Sequence, residues 1–113
     1  MLKKLYVKGT LAPDGRGFRF TLKNTLATAS LVAPPDIFLD GERVEPNFVG
    51  FIVAGKELDA KMFGADKPFV FAKGMEVVVA TSKPTLRPGA HKLRLKVKSK
   101  EWEEIDFEVE DTA

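Results

Sequence analysis

The chain has 113 residues, 44% of them apolar and 30% charged, a size and balance that fit one soluble globular domain spanning 1–113 and leave no room for two cores. Its 18 basic and 16 acidic groups leave a net charge of +2, without the unopposed basic stripe of a nucleic-acid binder. Cysteine is absent, which excludes disulfide staples and thiolate metal sites.

Taken in chain order, the pattern is period two nearly throughout, broken by Gly, Pro and Asp about every ten residues, the rhythm of an all-β sandwich or barrel. Eight to ten short strands are expected. The first is expected to run through Leu5 and Val7 to Leu11, with Lys3, Lys4 and Lys8 as a solvated strand edge, and AlaProAspGlyArgGly at 12–17 reverses it. Phe18, Phe20 and Leu22 then share one face of a strand whose other face carries Arg19, Thr21 and Lys23. The small residues of 25–33 suggest close sheet approach or a crossing between sheets, and Pro34-Pro35 stops any regular element.

Ile37 and Leu39 lead into Asp40-Gly41, the strongest short hairpin signal in the chain. PheValGlyPheIleValAla at 48–54 is continuously apolar, as in a strand buried on both faces or central in its sheet. In 56–66, Leu58 and Met62 stand four apart, which permits one or two helical turns ended by Gly64. Strands through Phe69 and Phe71 and through Met75, Val77 and Val79 follow, joined at Lys73-Gly74.

The last two runs carry the most information. Leu93, Leu95 and Val97 alternate with Lys92, Arg94, Lys96 and Lys98; Ile105, Phe107 and Val109 alternate with Glu104, Asp106, Glu108 and Glu110. A hairpin centred on residue 101 pairs Lys98 with Glu104, Lys96 with Asp106, Arg94 with Glu108 and Lys92 with Glu110. On its other face the same register pairs Val97 with Ile105, Leu95 with Phe107 and Leu93 with Val109. One register satisfies both faces, which predicts a half-buried antiparallel sheet.

The chemistry available is thin. His91 is the sole histidine, a weak candidate for a polar site; it sits where the turn LeuArgProGlyAlaHis hands over to a strand, a setting in which imidazoles bond loop carbonyls. Asp36, Asp40, Glu42 and Glu45 crowd one hairpin, and turn formation and exposure account for them. Ser30, Ser82 and Ser99 lack a nucleophile-elbow context, and no phosphate loop is present, so no catalytic residue, cofactor or metal is assigned. Among the nine phenylalanines and one tryptophan, Phe38, Phe48, Phe51, Phe63, Phe69, Phe71 and Trp102 together strain the capacity of one small core, so that some are expected at the surface, while for Trp102 a simple core role stands as the alternative. Trp102, Phe48, Phe51, Phe63 and Phe69 are therefore the candidate interface, with Trp102 at a hairpin tip.

The string at 37–57, with its AspGlyGlu hairpin and a strand ending in GlyLysGlu, together with the Leu-x-Pro-Gly-x-His turn opening 86–97, resembles the small β subunit of C-glycoside deglycosidases. The resemblance implies a β-sandwich packed against a larger metal-dependent barrel subunit that holds the catalytic residues. No functional residue carries over, since the matching positions form turns.

The expected molecule is thus a single antiparallel β-sandwich, immunoglobulin-like or jelly-roll-like, with at most one short helix near 57–63. It is read as a non-catalytic module that assembles with itself or with a larger enzyme subunit; the alternative is a carbohydrate or small-ligand binding module using Trp or Phe stacking. Nucleic acid and membrane are not expected partners. The scarcity of Asn and Gln beside abundant Lys and Glu suggests a hot-adapted source, and the absence of a signal-peptide-like start suggests the cytoplasm.

Overall fold

The computed structural model describes residues 2–113, with side chains from residue 4 onward, so the lysine edge expected at Lys3 lies in part outside the described residues. Eleven strands form two antiparallel sheets packed face to face, an all-β sandwich as the alternation predicts. The first sheet contains β1 (Ala12–Asp14), β2 (Gly17–Lys23), β9 (Glu76–Thr81), β6 (Val49–Val53) and β7 (Lys56–Asp59), side by side in that order. The second is built on β10 (Ala90–Ser99). One edge of β10 is paired along its whole length with β11 (Glu103–Thr112). The other edge is shared by β4 (Asp36–Leu39), which carries β5 (Glu42–Val44), and by β3 (Ala29–Leu31), which carries β8 (Phe69–Phe71).

The C-terminal hairpin takes the register that alternation dictates, from Lys98 opposite Glu104 to Lys92 opposite Glu110. Inward, Leu93, Leu95, Val97 and Phe107 are buried. Outward, the strongest ion pair is diagonal: Arg94 donates from Nε and Nη2 to both carboxylate oxygens of Asp106, at 3.0 and 2.8 Å, and not to Glu108 directly opposite. A fork of this kind fits the guanidinium plane better than a lysine can, and at this exposure solvent screening leaves it setting geometry more than stability.

Two tight turns depend on positive φ. Asp40 and Gly41 have φ of 50° and 86°, the paired signs of a type I′ turn, and they join β4 to β5 as their sequence predicts. Ala54 and Gly55, with φ of 51° and 80°, make the same kind of turn between β6 and β7. Because that hairpin forms, residues 56–59 pair with β6 as a strand, and the expected helix shrinks to a single 3₁₀ turn, Ala60–Met62. Gly17 is needed for another reason: a Cβ there would lie 1.8 Å from the carbonyl oxygen of Thr81, so only glycine lets β2 begin this close to β9.

The amino-terminal segment differs from expectation. Leu2–Leu5 is a 3₁₀ turn, Tyr6 makes one isolated bridge to Leu22, and the strand begins only at Ala12. Beside two bonds to Thr21 of β2, from Val7 N to its carbonyl and from its N–H to Thr10 Oγ1, the segment is held by a carboxylate. Asp111, buried near the end of β11, accepts from Tyr6 Oη at 2.6 Å, Gly9 N at 2.8 Å and Leu11 N at 3.4 Å, while its other oxygen accepts from Thr112 N at 2.8 Å. Burial pushes the Asp111 carboxyl upward, but the Tyr6 hydroxyl and the backbone donors outweigh it, and the group ends below the usual carboxylate range. Tyr6 is shifted the other way, raised by burial and by the adjacent carboxylate.

An amide here keeps one accepting oxygen, and its NH2 cannot accept, so the buried Tyr6 hydroxyl and Leu11 N–H, the part-buried Gly9 N–H and the Thr112 N–H can no longer all be served. Asp111→Asn is expected to cost about 2–4 kcal/mol in urea unfolding, and Tyr6→Phe about 1–2 kcal/mol. Since the folded pKa of Asp111 is depressed, its contribution is present above the unfolded value and lost as pH falls through the folded one. The acid limb of the stability profile should therefore be shallower in Asp111→Asn.

Candidate functional site

Between the sheets, at the end where the β10–β11 tip meets the loop 24–28, the packing opens into an apolar chamber of about 530 Å³. Leu22, Val77 and Val79 face it from the first sheet, and Leu31, Leu95 and Phe107 from the second. Sealed and empty, a space of this size would forfeit on the order of 10 kcal/mol at roughly 24 cal/mol per Å³, comparable to the whole stability of a small domain. It is an open cleft instead, with Leu26, Trp102, Glu104 and Ile105 at its rim.

Both lips are held by hydrogen bonds. Asn24 is buried at the turn out of β2, where its amide nitrogen donates to the carbonyls of Ala27 and Phe71, at 2.8 Å each, and its oxygen accepts from the backbone of Leu26 and Ala27. The chain there crosses from the first sheet to the second, as the small residues of 25–33 suggest. On the opposite lip, Glu101 accepts from Ser30 N at 2.7 Å and Ser30 Oγ at 2.8 Å, contacts that pull its carboxyl below the usual range. Trp102 N donates to Ser99 Oγ at 2.9 Å, and the indole Nε1 reaches the Thr28 carbonyl at 3.4 Å, so the ring lies across from one lip to the other. Glu103 adopts φ of 61°, a conformation that costs a non-glycine residue roughly 1 kcal/mol.

Of the five aromatic residues expected at an interface, the structure leaves two accessible. Trp102 is 56% exposed, and Phe48 is half-buried with the Lys83 ammonium 5.1 Å above its ring. Phe51, Phe63 and Phe69 are buried instead. Their ring centroids lie 5.1–5.2 Å apart in edge-on and stacked contacts, so a cluster absorbs the aromatic surplus that sequence counting assigned to the surface. Met62 and Val70 are exposed in addition, which periodicity did not single out.

His91 lies at the other end of β10 from the chamber, about 26 Å from Ser99 at roughly 3.3 Å per residue. Its Nδ1 is 2.6 Å from Asp40 Oδ2 and its Nε2 is 2.6 Å from the Arg87 carbonyl oxygen. Both partners can only accept, so the two contacts are satisfied together when both ring nitrogens carry a proton, which favours the imidazolium. The Asp40 contact raises the His91 pKa, and the same contact with the Lys92 backbone N–H lowers that of Asp40. No ring nitrogen is left to ligate a metal or take a proton. Of the other hairpin acids, Asp36 and Glu45 both stand on Arg43.

The signs set a pH window. The raised His91 contributes below its unfolded value near 6.5 and is lost as pH rises through its folded pKa; the lowered Asp40 contributes above its unfolded value and is lost as pH falls. Stability should therefore fall, by up to about 1 kcal/mol, as pH rises past the unfolded histidine value near 6.5. His91→Gln, followed by thermal unfolding across that rise, should flatten this limb.

Comparison with known proteins replaces the sugar-enzyme resemblance. The family model described as Hydroxymethylglutaryl-CoA reductase, N-terminal domain, matches residues 1–113, the whole chain, and this overturns the likeness to the deglycosidase β subunit, which rested on turn-forming motifs that many sandwiches share. No curated protein matches the chain.

Proposed function

Because the chain belongs to the hydroxymethylglutaryl-CoA reductase N-terminal domain family, we propose that it is a non-catalytic assembly domain that docks on the catalytic part of such a reductase through the Trp102 end of the sandwich. The observation that carries this is the presentation of Trp102. A tryptophan 56% exposed would ordinarily be mobile, but here its backbone, its indole nitrogen and the preceding Glu101 are all bonded to the neighbouring strand and loop. A large ring fixed in advance loses little entropy when covered, and such rings are the favoured anchors of protein interfaces.

The polar side chains buried in the sandwich support the same reading, since they serve the fold. Asp111 clasps the amino-terminal segment, Asn24 shapes the crossing loop, Thr81 bonds the Phe18 backbone and Ser99 holds the hairpin tip. A sugar would find few partners in the chamber, where the polar lining is Asn24, Thr25 and Glu104 and the Asn24 amide is already engaged.

The test is sedimentation of the intact chain alone and with the catalytic polypeptide of the same reductase. A complex heavier than the catalytic polypeptide by 12.5 kDa per bound chain is expected. Trp102→Ala should weaken it at least tenfold, and Met62→Ala should leave it unchanged. A chain that stays free at every concentration, or a complex indifferent to Trp102, would contradict the reading.

A further inference from the structure

We propose that the chamber between the sheets is a binding site for a small, uncharged aliphatic molecule that enters between Trp102 and Leu26. Its volume, about 530 Å³, falls within the roughly 300–1,000 Å³ of small-molecule sites. Its depth is hydrocarbon, supplied by Leu22 and Val79 on one side and by Leu31 and Leu95 on the other. The one polar side chain of the crossing loop turned into the fold, Asn24, has its donors and its acceptor satisfied by backbone. A polar group carried deep inside would therefore lose its water and gain no partner.

Polarity is confined to the rim, and it selects the head group. Glu104 is the only ionisable side chain among the described residues lining the chamber; it is exposed, stands opposite Lys98 on the outer face of the ribbon, and reaches only the chamber's edge, so no basic side chain lines the interior. A carboxylate or phosphate head carried in would lose its water and find no cation among the lining residues, whereas a neutral hydroxyl loses far less and can stay at the mouth near solvent. The ligand class is thus an aliphatic chain with a neutral head. The site does not rest on the docking proposal, because a ligand needs the interior and a partner needs the outer face of the Trp102 ring.

The experiment titrates 1-decanol into the intact chain while reading the emission of Trp102, the sole tryptophan, and the methyl NMR signals of Leu31, Val97 and Ile105. A saturable shift at one molecule per chain is expected, with methyl changes at those chamber residues and not at Ile52 and Val78 on the outer face of the first sheet. Decanoate should bind at least tenfold more weakly. Ala29→Phe, which places a ring in the chamber from β3, should weaken decanol binding at least tenfold; should that variant not fold, the methyl map of the unmodified chain decides. No saturable change up to the solubility of the alcohol, perturbation confined to the outer face, or decanoate binding as tightly as decanol would each overturn the proposal. None of these results bears on docking, which is read separately by sedimentation.

Discussion

The structure depends on the single register of β10 against β11. Ten consecutive pairs, from Ala90 with Thr112 to Ser99 with Glu103, fix a long two-stranded ribbon, and nearly everything else in the second sheet is positioned from it. A slip of one residue would invert one strand against the other, turning either Leu93 and Leu95 or Phe107 out to water and bringing Arg94 and Lys96, or Asp106 and Glu108, toward the core, which is why the alternation admits one answer. The inner face of the ribbon supplies the floor of the sandwich. Its outer edge offers β4 and β3 a template on which the remaining strands are laid.

Both ends of that ribbon carry specialised contacts, and they differ in kind. At the start of β10, His91 and Asp40 lock the β4–β5 turn to the sheet through charge and hydrogen bonds. At the end of β11, Asp111 gathers the amino-terminal segment, which has no ladder of its own, onto the sheet. At the shared tip the ribbon instead stays open: the sheets diverge over the chamber, Glu103 takes a strained torsion, and Trp102 is held out in solvent. A strained torsion and an exposed aromatic ring thus sit side by side at that tip, as they do where a fold meets something else.

Much of this could be read from the residues. Strict alternation in 92–98 and 104–110 predicts the hairpin pair by pair, Phe18, Phe20 and Leu22 predict β2, and Asp40-Gly41 predicts the type I′ turn. The helix expected in 56–66 arose because Ala54-Gly55 is a weaker turn signal than Asp-Gly; alanine at positive φ is uncommon, and the strand pairing of β6 with β7 compensates for it. Two features of the polar chemistry had a signal that went unused. Asp111 and His91 both fall on the inward parity of their strands, in line with Phe107 and Val109 and with Leu93 and Leu95, and an ionisable group at an inward position requires a buried or tightly bonded partner. The chamber and the phenylalanine cluster had no such signal, because the gap between two sheets and the stacking of Phe51, Phe63 and Phe69 arise only from tertiary packing.

The most direct check of the account is the register itself, read as cross-strand proton contacts by NMR in the intact chain. The predicted result places Leu95 opposite Phe107 and Leu93 opposite Val109, with Arg94 reaching diagonally to Asp106. Contacts pairing Leu95 with Asp106 or with Glu108 would mean a ribbon shifted by one residue, and with it the inner face, the chamber and the Trp102 tip as described would all be wrong.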